Sequence, residues 1–317
     1  MKKVPIIDLA AAEEDVSVLE PLDRACRDHG FFLLSNHGMD KEIEAMWRHS
    51  ELFFNDPRSE KSKLLRTKEK PLGYYNKELT KRKRDLKEVF DFMGPRNDKS
   101  ERNQWPDNKP EFKQVMDDFF SAATLVAERT LNLVYRALTK GNIDLSKLPS
   151  GDGRTSTVRL NCYPTSDPLE IADRADVANL GDMALHHHTD PGILTLLLQD
   201  MIGGLQARSS DDGWIDVPPV EGVIVVNLGD SMQVWTNDVY KSAIHRVLPM
   251  KGNARYSTPY FYSPARDAIL EPLPLLQTGS PRYTSFTWKE YIQGRIDDNY
   301  TDLGEDDIQI SRFSIAG

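Results

Sequence analysis

Cysteine is nearly absent from this chain: Cys26 and Cys162 are the two in 317 residues. One falls in an expected helix interior and one in an expected strand interior, so no disulfide framework holds the fold together and a reducing compartment is expected. Long apolar runs are missing as well. No stretch reaches the roughly 18 residues that read as a membrane span, and Met1-Lys2-Lys3-Val4-Pro5 has no apolar signal core. The expectation is a soluble, cytoplasmic protein with no membrane partner. Basic charge is in deficit, with 40 Lys and Arg against 49 Asp and Glu for a net charge of -9. Nucleic acid is therefore not expected as a partner, because phosphate contacts need a basic excess on one face. Repeats and low-complexity tracts are also lacking, which leaves one elaborated globular unit, monomeric or weakly homo-oligomeric.

What is present falls into three stretches. Residues 1–150 read as helix-rich, 151–275 as a β-rich core and 276–317 as mostly helical, together one integrated domain. Val4 to Leu9 is a short β-prone segment, and Leu19, Leu22 and Cys26 then recur at helical spacing up to a stop near Gly30. Phe31 to Leu34 reads as a buried strand. Asp40 is placed to cap a second helix with Ile43, Met46 and Trp47 on its apolar face. From Pro57 to Asn108 the chain is polar and irregular, and it includes Tyr74, the basic run Lys81-Arg82-Lys83-Arg84, and Phe92. Such a segment could fold over the mouth of a site and set specificity, or simply be a solvated excursion. Glu111 to Lys140 is the longest helical pattern, ended by Gly141. After Gly153, strand-like segments alternate with turns to about Pro272.

The chemistry concentrates in Leu185-His186-His187-His188-Thr189-Asp190-Pro191-Gly192, read with the distant His245. His188 and Asp190 are two apart, so in extended backbone they share a face. A third ligand from another strand completes two imidazoles and one carboxylate around a single ion. That arrangement leaves neighbouring coordination positions open, which suits Fe(II) binding a chelating co-substrate together with O2. Arg255 and Ser257 share a face of a later strand and can jointly hold one carboxylate, the arginine through paired N–H donors. His186 lies two residues before His188 and would face the same cavity if the strand is already regular there; the alternative is a loop histidine. Leu197 and Phe261 alternate in phase with Thr195 and Ser257, so both should line the pocket, although packing alone would also account for them. Arg246 sits beside His245 and could support it from behind.

His-x-Asp, a distant His and then Arg-x-Ser resembles the isopenicillin-N-synthase-like family of iron- and 2-oxoglutarate-dependent oxygenases, from Val4-Pro5-Ile6-Ile7-Asp8-Leu9 to Trp288-Lys289-Glu290-Tyr291. The resemblance implies an α+β fold with a mainly β core, a distorted double-stranded β-helix or jelly roll flanked by N- and C-terminal helices. It implies Fe(II) on His188, Asp190 and His245, and 2-oxoglutarate on Arg255 and Ser257. It adds Asn161 and Tyr163, from Asn161-Cys162-Tyr163-Pro164, as further co-substrate contacts. The implied reaction consumes O2, releases succinate and CO2 and oxidises a C–H bond of a small, partly apolar molecule, as in specialised metabolism. Tyr74 and Phe92 are added to His186, Leu197 and Phe261 as candidate substrate contacts. A 2-oxoglutarate-independent oxidase of the isopenicillin N synthase type is the alternative, and a jelly roll that binds a ligand without turnover is a further one.

Overall fold

The computed structural model describes residues 4–12, 14–67, 69–80, 83–96, 102–175, 177–209, 213–276, 279–300 and 309–315, and side chains of 296–300 are not described. Lys81 and Arg82, half of the basic run, lie outside the described residues.

Two sheets face each other. The larger has eight strands in the order Ile6–Asp8, Phe31–Ser35, Ile224–Leu228, Leu194–Gln199, Arg255–Tyr262, Thr157–Tyr163, Glu88–Met93 and Gly73–Tyr75. The smaller runs Trp214–Asp216, Leu205–Arg208, His245–Val247 and Leu185–His188. Ile6–Asp8 pairs in parallel with Phe31–Ser35, and the other pairings in these two sheets are antiparallel. This is the expected α+β jelly roll. Strands from the N-terminal part extend the same sheet that carries the central strands.

Strand alternation divides the core into two layers. Leu194, Leu196 and Leu198 belong to the cluster that packs under the helices, whereas Leu197 belongs to the cluster between the sheets. The helical layer is built by Leu19–Asp28, Asp40–Phe54 and Phe112–Thr139. The last of these, 28 residues long, buries Phe112, Met116, Phe119, Ala123, Val126 and Val134 on one face. It ends one turn position before Gly141, with Lys140 itself in the left-handed conformation at φ 51°. Asp40 is the first residue of its helix rather than the cap, which is Met39. Its carboxylate therefore acts on the positive end of the helix dipole instead of bonding an end N–H. Cys26 and Cys162 are both free and buried. Among the described residues no helix is long and apolar enough to cross a membrane.

Candidate functional site

The site starts from a tight turn. The Leu185–His188 strand ends at His188 itself, and the chain doubles back through Pro191 and Gly192 into Leu194–Gln199. Backbone bonds pin this turn to the start of a neighbouring helix: Asp230 N–H donates to the Asp190 carbonyl at 2.8 Å and Gly229 N–H to the Ile193 carbonyl at 3.0 Å. Gly229 is needed there, since a Cβ would lie 2.2 Å from the Gly192 carbonyl oxygen and 2.8 Å from that of Asp190. His245 arrives on the adjacent strand, directly paired with His188.

Together these elements bring ligand atoms of His188, Asp190 and His245 within 4.8 Å of one another. Asp190 Oδ1 is 3.6 Å from His188 Nε2 and 3.8 Å from His245 Nε2. Each imidazole is oriented from behind. His188 Nδ1 lies 2.9 Å from the His186 carbonyl and His245 Nδ1 lies 3.0 Å from the Ala243 carbonyl. A carbonyl can only accept, so both Nδ1 atoms carry the proton and both Nε2 lone pairs face the centre. Asp190 is fixed in the same manner, its Oδ2 accepting from Thr195 Oγ1 at 2.5 Å and Asn227 Nδ2 at 2.8 Å. Burial, then the neighbouring His188, pushes His245 down to about 4, so it is a neutral donor at pH 7. Burial opposes ionisation of Asp190, but His245, His188 and the Thr195 hydroxyl outweigh it and hold its carboxyl well below the usual range. Two imidazoles and one carboxylate are the donor set that suits a divalent first-row metal.

The triad opens into a cavity of about 770 Å³. Asn161, Tyr163, Arg255 and Ser257 line it from adjacent strands, with Arg255 opposite Tyr163 and Ser257 opposite Asn161 in register. Arg255 is fully buried, and its Nη2 donates to Gln199 Oε1 at 3.1 Å. Its Nε and Nη1 have no hydrogen-bond partner among the described residues. A buried donor left unsatisfied costs about 1–3 kcal/mol, so two on one cation call for an anionic acceptor in the cavity. Leu197 and Phe261 form part of the cavity wall, as their strand phase requires.

Comparison with known proteins agrees with this geometry. The model of the 2OG-Fe(II) oxygenase superfamily matches residues 155–264, and that of the non-haem dioxygenase in morphine synthesis N-terminal region matches residues 4–108. Gibberellin 2-beta-dioxygenase 4 of Arabidopsis thaliana is 32% identical over 312 residues, spanning 95% of this chain and 94% of that protein. The chain belongs to the 2OG-Fe(II) oxygenase superfamily. A second relative of this oxygenase, 1-aminocyclopropane-1-carboxylate oxidase 3 of Arabidopsis thaliana, is 32% identical and covers 92% of this chain and 88% of that one. Among solved structures, a full-length Neurospora crassa protein crystallised in complex with alpha-KG superposes with a TM-score of 0.78 at 25% identity, covering 93% of the oxygenase and 96% of that chain. The cofactors of the oxygenase are accordingly Fe(II) and 2-oxoglutarate, with O2 as oxidant.

Several expected contacts lie elsewhere in the oxygenase. His186 is buried outside the cavity, its Nδ1 3.1 Å from Asp85 and its Nε2 3.3 Å from Asp182. The cause is a register shift: His245 pairs with His188 but Val247 pairs with Leu185, so Leu185 rather than His186 turns inward with His188. Phe92 and Tyr74 belong to the core under the helices. In Glu88–Met93 the alternation sends Phe90 and Phe92 to the helices and Asp91 and Met93 to the cavity. Tyr74, paired with Phe90, packs on Phe53 and bonds Glu88. Arg246 points away from the triad, with its Nε donating to Gln206 at 2.8 Å and its guanidinium 4.0 Å from the Trp214 ring.

Other residues act on the site without any motif to announce them. Asp230 accepts from Tyr291 Oη at 2.5 Å and Thr189 Oγ1 at 3.2 Å, and Arg295 Nη2 donates to the Thr189 carbonyl at 2.8 Å. The helix Trp288–Tyr300 thereby clasps the residue between two metal-ligand candidates, and its Trp288, Ile292 and Gln293 line the cavity.

Proposed function

We propose that His188 Nε2, Asp190 Oδ1 and His245 Nε2 hold the iron of this 2-oxoglutarate-dependent dioxygenase. Arg255 and Ser257 receive the far carboxylate of 2-oxoglutarate, with Asn161 and Tyr163 beside it. The single observation that carries this reading is the buried Arg255, with two unpartnered N–H groups, opening into the same cavity as the triad. With iron and 2-oxoglutarate bound, the site supplies oxidative decarboxylation to succinate and CO2 coupled to oxidation of a substrate C–H bond. The chain's own part is positional. Thr195 and Asn227 aim one oxygen of Asp190, the two backbone carbonyls fix the imidazole tautomers, and Arg255 fixes the direction from which the co-substrate enters. Leu197, Leu205 and Phe261 give the substrate an apolar wall and exclude water from the reacting carbon.

The substrate is a small, partly apolar molecule of specialised metabolism; one relative is named for its action on a gibberellin. We further read the chain as one integrated domain, because strands from residues 1–150 extend the central sheet. It is cytoplasmic, a monomer or weak homo-oligomer, and not a nucleic-acid binder, consistent with two free thiols and a net charge of -9. The test is the stoichiometry of turnover with its substrate. Succinate forming in step with O2 uptake, and neither without Fe(II), supports the dioxygenase. O2 uptake without succinate makes it a 2-oxoglutarate-independent oxidase, and tight substrate binding with no O2 uptake makes it a binding protein.

A further inference from the structure

The charge lining the cavity has the opposite sign to the chain as a whole. Deep on one wall, Arg66, Lys87 and Arg159 are matched by Glu78, Asp91 and Asp85 in a continuous network: Arg159 donates to Asp91 and Glu78 at 2.7–2.9 Å, Arg66 to the same two at 2.5 Å, and Lys87 pairs with Glu78 at 2.9 Å. That wall is balanced in charge. Farther out the balance fails. Arg154 is paired with Asp152 at 2.7 Å, and Arg96 acts on the same carboxylate from a greater distance. Arg96, Arg102, Arg266 and Lys289 also line the cavity, without an ion pair among the described residues, against one further acid, Asp267.

Cations collected at one opening of a protein with net charge -9 are not the residue of an average surface. A concave, low-dielectric opening focuses their field and raises the local concentration of anions. The co-substrate does not account for them, because its far carboxylate is already matched by Arg255 inside. We propose that the substrate carries an anionic group, a carboxylate or a phosphate, held at the cavity mouth by Arg96 and Arg266 while its oxidised carbon reaches inward to Leu197, Leu205 and Phe261. This assignment rests on the oxygenase reading above and adds the substrate's charge class to it. It also gives the two ends of the cavity separate tasks: the mouth fixes the polar end, and the apolar wall selects the carbon that meets the metal.

The test uses the full-length protein loaded with Zn(II) and saturated with 2-oxoglutarate, so that no turnover occurs. A panel of small metabolites is screened by ligand-observed NMR, each carboxylate matched with its methyl ester and each phosphate with its free alcohol. The binders are expected among the anionic members, at least tenfold tighter than their neutral counterparts and weakened by salt. Arg96→Glu and Arg266→Glu should each weaken those binders about tenfold, Arg266→Lys should largely restore them, and 2-oxoglutarate affinity should change less than threefold. The ester-to-acid and alcohol-to-phosphate ratios separate the two anion sources. Neutral members binding as well as anionic ones, or no anionic binder at all, overturns the proposal. So does a charge reversal that weakens 2-oxoglutarate instead, since the mouth would then serve the co-substrate. A wild-type protein that fails to bind 2-oxoglutarate before any panel member is added overturns the oxygenase reading itself.

Discussion

Asp190 is the one carboxylate of the triad, with Oδ2 held by Thr195 and Asn227 and Oδ1 facing both imidazoles. Asp190→Ala should abolish stoichiometric iron binding, measured as metal per protein after anaerobic loading and desalting, while the fold is retained. Thr195→Val leaves the carboxylate in place but frees its orientation. Loss of such an outer contact typically costs 10–100-fold in metal affinity, so a shift of that order in a competitive chelator titration is expected, with near-wild-type far-UV circular dichroism. Arg255→Ala removes a charge-assisted carboxylate contact of about 1.5–3 kcal/mol and should raise the 2-oxoglutarate Kd roughly 10- to 150-fold with iron affinity nearly unchanged. Equal losses of both would mean that Arg255 supports the fold rather than the co-substrate. The convergence of His188, Asp190 and His245 was legible in the sequence because coordination demands particular side chains at particular spacings. Thr195 and Asn227 were not, since a threonine and an asparagine in strands have many uses and only the folded register shows both meeting Asp190 Oδ2.

Strand phase explains both what was readable in the elements and what was not. Leu197, Phe261, Ser257 and Arg255 sit on regular strands, where a period of two carries the facing over many residues. His186 sits on the strand whose pairing shifts between His188 and Leu185, and one displaced residue reverses its side. Tyr74 and Phe92 lay in a segment with no period strong enough to set a phase, and the neighbouring Asp91 and Met93 took the inward positions. Two elements outside the sheets also bear on the turn that carries Asp190. Gly229→Ala would drive a Cβ into backbone carbonyls that have no room to move independently of Asp190, so lowered Tm and weakened metal binding should appear together. Tyr291→Phe deletes the hydroxyl that Asp230 accepts from. It should lower metal affinity a few-fold while leaving 2-oxoglutarate affinity, measured at saturating metal, within twofold; a change confined to Tm would assign the clasp to stability alone.

For the whole molecule, the expected jelly roll with flanking helices is present because its signals are distributed: the long amphipathic helix, the turn-bounded strands and the paired ligand motifs each point to the same architecture. Which strands of residues 1–150 join the central sheet, and beside which partners, was not legible, because pairing partners far apart in the chain leave no local trace. If that integration is as tight as the shared eight-stranded sheet implies, urea unfolding followed by tryptophan fluorescence and by circular dichroism should give one coincident transition. Two separated transitions would divide the chain into independent units. Iron and 2-oxoglutarate are proposed to occupy one cavity, lined both by the triad and by Arg255. Isothermal titration of 2-oxoglutarate into the anaerobic Fe(II)-loaded protein tests this most directly. The predicted result is one molecule bound per chain, with affinity falling sharply both when the metal is omitted and in Arg255→Ala. Binding of 2-oxoglutarate that is indifferent to metal and to Arg255, or no binding by the loaded wild type, would contradict it.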